Sequence, residues 1–67
     1  MSVAKVVELT AESPTSFNDA VEQGVRRASK TLEDVQSAWI KDHQVVISEG
    51  KVKTYRVKMK VTFVLKD

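Results

Sequence analysis

The clearest pattern in the chain is the alternation of apolar and polar residues near its C-terminal end. From Tyr55 onward every second residue is apolar. This set comprises Tyr55, Val57, Met59, Val61, Phe63 and Leu65. The residues between them include the largely basic set Arg56, Lys58, Lys60, Thr62 and Lys66. Successive side chains of a strand point to opposite sides, so this pattern predicts a strand with one apolar face and one basic face.

A β-hairpin is predicted to lead into this strand. Glu49-Gly50 separates it from the segment SAWIKDHQVVIS, residues 37–48. An acidic residue followed by glycine suits a tight two-residue turn in which both residues have positive φ. Val52 is out of phase with the alternation that starts at Tyr55, which predicts a bulge near Lys53-Thr54.

The first half of the chain is predicted to contain one strand and one helix. Residues 3–10, VAKVVELT, have the β-branched apolar composition of a strand. In the following stretch apolar residues recur every three or four positions, as they do along one side of a helix. They are Phe17, Val21, Val25, Ala28, Leu32 and Val35. Ser16 followed by Asp19 resembles a capping box at the helix start, and Gly24, at the edge of the apolar stripe, indicates close packing on a sheet.

These elements predict an α+β fold of the order β-α-β-β, in one domain covering residues 1–67. A helix between the first two strands makes them parallel, so a third strand placed between them would be antiparallel to both. We therefore expect the sheet order first–third–second, with the long apolar strand in the centre.

The predicted sheet is longer than its helix. A helix of about 17 residues spans roughly 26 Å, whereas a strand from Lys51 to Lys66 spans on the order of 50 Å. The apolar positions beyond the helix and the free strand edges need a partner. Symmetric self-association is therefore expected, and no cysteine is present to stabilise so short a chain by disulfides.

Composition excludes several function classes. His43 is the single histidine of the chain, and no glycine-rich phosphate loop is present, so an enzyme is not expected. A net charge of +2, with Tyr55 and Phe63 on the apolar face of their strand, does not favour nucleic acid. No apolar segment is long enough to span a membrane, and the N-terminus is unlike a signal peptide, so a cytoplasmic location is expected.

Two features offer binding chemistry. Four carboxylates lie near the predicted helix start, and at a symmetry axis they could hold a divalent ion, although capping and solvation also explain them. They are Glu8, Glu12, Asp19 and Glu22. The second feature is Trp39: if Ala38 and Ile40 face the helix, the indole lies on the opposite face, either in a subunit contact or available for stacking.

Several stretches resemble the dodecin family in their order and spacing. They are KVVELTAESPTSFNDAV, RASKTL, the Glu49-Gly50-Lys51 turn and YRVKMKVTFVLKD, and the resemblance covers Val3 to Asp67. It implies a hollow homododecamer in which a three-stranded sheet partly wraps one helix. It also implies a binding protein that stores or sequesters flavin, FMN or riboflavin, rather than an enzyme. In flavin-binding members a tryptophan opening the second strand sandwiches the isoalloxazine ring, and a glutamine on the third strand hydrogen-bonds to it.

This chain departs from that pattern at both positions. Counted from the turn without gaps, Ser37 stands at the tryptophan position, Trp39 comes two residues later, and Arg56 stands at the glutamine position. Two residues is one strand period, so Trp39 and Ser37 point to the same side. Alternatively, a two-residue deletion in the hairpin would realign Trp39 with the family tryptophan. Arginine carries donors only and cannot accept a hydrogen bond from the flavin N3–H.

Two hypotheses follow from the sequence. The first is a flavin-sequestering dodecin whose altered pocket uses Trp39, Arg56 and Ser37. The second is a flavin-free dodecin-like cage that has a structural role or binds ions or anionic cofactors at its symmetry axes. In such an assembly the basic stripe of the third strand, repeated around an axis, would attract anions.

Overall fold

The computed structural model describes residues 3–65, so Lys66 of the predicted basic set lies outside the described residues. The elements are β1 (Val3–Ser13), α1 (Phe17–Thr31), β2 (Val35–Ser48) and β3 (Lys51–Leu65). The three strands form one antiparallel sheet in the order β1-β3-β2. The predicted α+β fold, its element order and its central strand are confirmed.

Strand β1 is longer than the sequence predicts. The prediction ends it at Thr10, but the strand continues through Ser13. Ala11, Glu12 and Ser13 continue the ladder by pairing with Val57, Arg56 and Tyr55 of β3. Pairing with β3, rather than the local composition, therefore keeps Ala11 to Ser13 in the strand, and β1 ends at Ser13 although β3 continues beyond Tyr55 to Lys51.

Helix α1 starts where Ser16 caps it. The Ser16 hydroxyl oxygen accepts a hydrogen bond from the Asp19 backbone N–H at 3.0 Å. The Asp19 carboxylate accepts from the Ser13 hydroxyl, which ties the helix start to the end of β1. The helix ends at Thr31, and the positive φ of 55° at Asp34 turns the chain into β2. The assignment of Val35 to the helix stripe was therefore wrong, because Val35 is the first residue of β2.

The core lies where α1 crosses the centre of the sheet. Among residues 3–65 the buried hydrophobic side chains are Ala20, Ala28, Val57, Met59 and Val61. Gly24 is also buried, and a Cβ at this position would lie 3.0 Å from the Met59 Cε and 3.1 Å from the Ala11 Cβ. The close packing predicted at Gly24 is confirmed.

The hairpin turn and its bulge are also as predicted. Glu49 and Gly50 have φ values of 53° and 76°, the left-handed conformation that a tight hairpin turn requires. Val46 pairs with Thr54 and Ile47 with Val52, so Lys53 is left without a partner in the ladder.

Strand β2 has two further irregularities that the sequence did not indicate. Gln36 is skipped between the pairs made by Val35 and Ser37, and Lys41 is skipped between those made by Ile40 and Asp42. Each skipped residue shifts by one position which side chains face the helix. As a result, β2 does not show the simple alternation of β3.

The subunit is long and thin. Its extents are 51 × 19 × 14 Å and its radius of gyration is 13.7 Å, compared with about 11 Å for a compact domain of this length. Many large apolar side chains are exposed beyond the helix or on the outer face. They are Val3, Val6, Trp39, Val45, Ile47, Val52 and Leu65. The predicted mismatch between sheet and helix is therefore present, and it leaves apolar surface for contacts between subunits.

Within residues 3–65, no helix is both long and apolar enough to cross a lipid bilayer.

Candidate functional site

The candidate site lies on the face of the sheet that points away from α1. Polar side chains from all three strands meet there in cross-strand rows. One row is Glu8, Lys60 and Trp39, and another is Glu12, Arg56 and Gln44. The alternation of β3 creates this face, since it directs Val57, Met59 and Val61 to the helix and the basic residues to the opposite side.

Trp39 is the most prominent side chain of this face. Its neighbours Ala38 and Ile40 pack against the core under the helix, so the alternation directs the indole to the outer face as predicted. The side chain is 71% exposed. An indole left this open within one subunit is available to a second subunit or to a stacking ligand.

Trp39 forms one wall of a cleft. The cleft has a volume of about 350 Å³ and is lined by Val6, Ser37, Ala38, Trp39, Lys60 and Thr62. This volume is at the lower end of the range for small-molecule sites, about 300 to 1,000 Å³. Ser37 and Trp39 pair with Thr62 and Lys60, two outer-face residues of β3, so the prediction that both point to one side of β2 is confirmed.

The electrostatic character of the cleft comes from Lys60. Its Nζ lies 5.8 Å from the centre of the Trp39 ring, within the range of a cation–π contact. The nearby Lys41 pairs with Glu8, with 3.5 Å between Nζ and Oε2. Ser37 and Thr62 add hydroxyl groups that can donate or accept. The cleft therefore combines an aromatic wall, one cation and two neutral hydrogen-bonding groups.

Arg56 lies on the same face but does not line the cleft. Its guanidinium contacts the Glu12 carboxylate at 2.7 Å and donates to the Gln44 side-chain oxygen at 3.2 Å. Within one subunit it therefore joins the three strands, and the structure does not bring it together with Trp39 and Ser37. A ligand contact by Arg56 stays a prediction.

Four lining residues, Ala38 among them, were missed as site residues from the sequence. Val6, Lys60 and Thr62 reach the cleft only through the pairing of β1 and β2 with β3. The alternation had already placed Lys60 and Thr62 on the face opposite the core. The missing information was the register, which sets Lys60 directly opposite Trp39.

His43 lies on the other face of the sheet. It pairs with the buried Val57, and its ring makes a tilted contact with Phe17 at the start of α1, with 4.8 Å between ring centres. Tyr55 completes this cluster by an edge contact with Phe17 at 5.1 Å. These aromatic contacts fasten the helix start to the hairpin and are separate from the cleft.

The carboxylates considered for an ion do not gather within one subunit. Across residues 3–65 there is no group of three or more His, Asp or Glu side chains placed to hold a metal ion. Glu8 is paired with Lys41, Glu12 with Arg56, and Asp19 with Ser13. A site with three or more carboxylate ligands from residues 3–65 would therefore need more than one subunit.

The fold and the cleft define a class of protein: a small β-α-β-β subunit whose sheet wraps one helix and exposes a ligand-sized cleft on its outer face. The chain belongs to the dodecin family. The sequence model of that family matches residues 3–66, and dodecins are small binding proteins.

Relatives and solved structures agree with this assignment. The calcium dodecin of Mycobacterium tuberculosis is 38% identical over 64 residues, covering 94% of this chain and 89% of the relative. A crystal structure of a mutant T. thermophilus dodecin superimposes with a TM-score of 0.94 at 33% identity and covers 100% of both chains. The structure of the M. tuberculosis calcium dodecin, described with a novel calcium-binding site, gives a TM-score of 0.86 at 31% identity, covering 97% of this chain and 93% of that one.

Proposed function

We propose that this chain assembles into a homododecamer that binds a planar aromatic ligand of the flavin type, FMN or riboflavin, for storage or sequestration. The observation that carries the proposal is the exposed indole of Trp39 on the wall of a cleft. The protein is proposed to act by binding and not by catalysis.

The chemistry of the cleft supports a flat aromatic ligand. A ring stacked on the indole of Trp39 would cover apolar surface that the single subunit leaves in water. Ser37 and Thr62 can both donate and accept, which suits the mixed donor and acceptor edge of a flavin ring. Trp39 is thus the proposed stacking residue and Ser37 a polar contact, two residues along the strand from each other.

Arg56 has a different proposed role. In the single subunit its charge is held by Glu12 and Gln44. We propose that any contact between Arg56 and the ligand involves a cleft completed by a neighbouring subunit. Such a contact would be to an anionic group, since a guanidinium only donates hydrogen bonds.

The shape of the subunit supports the assembly. Ile47 and Val52 at the hairpin end are 63% and 50% exposed, and Val3 at the other end of the sheet is 59% exposed. Neighbouring copies would cover these ends, and the dodecamer is the assembly that the family resemblance implies. Gel filtration with multi-angle light scattering tests this. A mass close to that of the dodecamer is expected, and a monomer at micromolar concentration would contradict the assembly.

The flavin role is tested by titrating purified protein into FMN and following the flavin fluorescence. Stacking on an indole should quench the fluorescence, and Trp39→Ala should abolish the quenching while Trp39→Phe retains part of it. Far-UV circular dichroism and gel filtration of both variants check that fold and assembly persist. Absence of quenching with the wild-type protein would exclude the flavin role.

A second candidate function is calcium binding between subunits. The observation that favours it is the relationship to the calcium dodecin of M. tuberculosis, at 38% identity. The proposed ligands are exposed carboxylates near the helix start, such as Glu12 and Glu22, contributed by more than one copy. Isothermal titration with calcium chloride tests it. Saturable heat that is lost in Glu22→Gln supports the site, and heat no larger than that of buffer contradicts it.

The cytoplasmic location and the absence of nucleic-acid binding are also proposals. Cell fractionation and a gel-shift assay with short duplex and single-stranded DNA are the corresponding measurements.

A further inference from the structure

Lys60 is one of the two β3 residues that line the cleft, together with Thr62. It pairs with Trp39 on one side and with Glu8 on the other. It is partly buried, and its ammonium group lies beside the indole at 5.8 Å from the ring centre. A ligand that stacks within the cleft on this face of Trp39 therefore meets or displaces the ammonium group.

The charge of Lys60 is not compensated by a carboxylate. Two other basic residues on this part of the molecule have carboxylate partners: Lys41 pairs with Glu8, and Arg56 pairs with Glu12. Within residues 3–65 Lys58, like Lys60, makes no ion pair. Glu8 lies opposite Lys60 in the ladder, but its carboxylate is in contact with Lys41. Within the part of the chain that the structure describes, Lys60 makes no ion pair, and its charge is stabilised by the cation–π contact with the Trp39 indole.

This arrangement affects neutral and anionic ligands differently. Any ring that covers the indole weakens the cation–π contact of Lys60, which is a cost common to both kinds of ligand. An anionic group offsets that cost by forming a charge-assisted hydrogen bond with the ammonium group. A neutral ligand leaves the ammonium group beside the bound ring without such a partner.

We propose that Lys60 makes the Trp39 cleft selective for planar aromatic ligands that carry an anionic group, such as a phosphate, over neutral ligands with the same ring. This inference rests on the proposed function, and it adds the class of ligand and the residue that selects it. Lys60 is a specificity-determining residue of the cleft.

Lys58 provides a matched control for Lys60. It lies one strand period away on the same face of β3, opposite Thr10 and Asp42, and does not line the cleft. Replacing either lysine by glutamine removes one positive charge from the same face. Only Lys60→Gln removes the charge beside Trp39, so the two variants separate a local contact from the general field of the basic face.

The experiment measures the dissociation constants of FMN and riboflavin by fluorescence quenching for the assembled wild-type protein, Lys60→Gln and Lys58→Gln. The two flavins share the ring and differ in the phosphate on the ribityl chain. For the wild type we expect FMN to bind about tenfold more tightly at low salt, as one screened charge-assisted hydrogen bond would give. Lys60→Gln should reduce the ratio to within about twofold, chiefly by weakening FMN, whereas Lys58→Gln should preserve it.

The outcomes separate the inference from the proposed function. Equal binding of both flavins by the wild type, or a preference for FMN that Lys60→Gln leaves unchanged, overturns the role of Lys60 and leaves the flavin function in place. A ratio that falls equally in both variants also overturns it, because the general field would then be responsible. Quenching of neither flavin by the wild type defeats the flavin function itself. Riboflavin binding by Lys60→Gln serves as the internal check that the cleft is intact.

Discussion

The two faces of β3 are built from alternate residues of one strand, yet they depend on different interactions. On the helix side Val57, Met59 and Val61 are fully buried. On the outer side Arg56 and Lys60 are only partly buried, and their contacts are a carboxylate and an indole. The helix side therefore depends on close packing, whereas the outer side depends on charges that solvent screens.

This difference indicates that folding and ligand binding depend on different residues of this small subunit. The helix side holds the buried core of the described residues, so its residues should control whether the subunit folds. The outer side contributes less to folding and is freer to vary in its ligand chemistry. Ser37, Trp39 and Arg56 lie on this outer side, which is where the chain departs from the flavin-binding pattern.

The largest expected effect is on the helix side, at Met59. Replacing this fully buried side chain by alanine should lower the free energy of unfolding by about 2 to 5 kcal/mol, because it leaves a cavity in the core. The measurement is urea denaturation at a fixed protein concentration, since assembly is coupled to folding. Lys58→Ala is the control on the adjacent, exposed position and should change stability by less than about 0.5 kcal/mol. Equal effects of the two variants would contradict the difference between the faces.

A smaller effect is expected at Gly24 on the helix. Alanine should gain about 1 kcal/mol in helix propensity, but its Cβ would lie 3.0 Å from the Met59 Cε and 3.1 Å from the Ala11 Cβ. Overpacking of about 1 to 3 kcal/mol opposes that gain, so a net destabilisation on the order of 1 kcal/mol is expected in the same denaturation assay.

Ser29→Ala is the control for Gly24→Ala, because Ser29 is an exposed position of α1. It should stabilise the protein by a few tenths of a kcal/mol through helix propensity alone. A Gly24→Ala protein that is more stable than the wild type would show that Met59 and Ala11 can move enough to accommodate the added methyl group, which would contradict this prediction.

The smallest effect is expected on the outer side, at Arg56. Its side chain and that of Glu12 are 37% and 47% exposed, so their ion pair should contribute about 1 kcal/mol or less. Arg56→Ala and Glu12→Gln, combined in a double-mutant cycle at low and high salt, measure this coupling. The coupling should decrease at high salt. A loss of stability comparable to that of Met59→Ala would contradict the assignment of this face to weak interactions.

The elements of the fold could be predicted because their signals are local. The alternation of β3, the Glu49-Gly50 turn and the period of the helix each lie within a few neighbouring residues. The end of β1 could not be predicted, since Ala11 to Ser13 continue the strand only because β3 extends beside them. Val35 was misplaced because its spacing from Leu32 also fits a helix.

The site was predictable only in part. The strand period correctly placed Trp39 and Ser37 on one side of β2. Lys60 reaches the cleft through the register between β2 and β3. The bulge near Lys53 left a signal in the sequence, but the unpaired Lys41, which brings Lys60 back opposite Trp39, did not. Arg56 was grouped with Trp39 by resemblance to the family, whereas within the subunit its partners are Glu12 and Gln44.

Two of the unpaired residues in the hairpin offset one another. Lys41 is an extra residue on β2 and Lys53 an extra residue on β3, so the strands leave register at one site and regain it at the other. The ladder skips both residues, so deleting either one would keep the pairs on each side of it, including Trp39 with Lys60. A deletion would instead remove the local bend and extra twist that a bulge gives a strand. The pairing that builds the cleft is thus independent of these two residues, which act on the curvature of the hairpin around it.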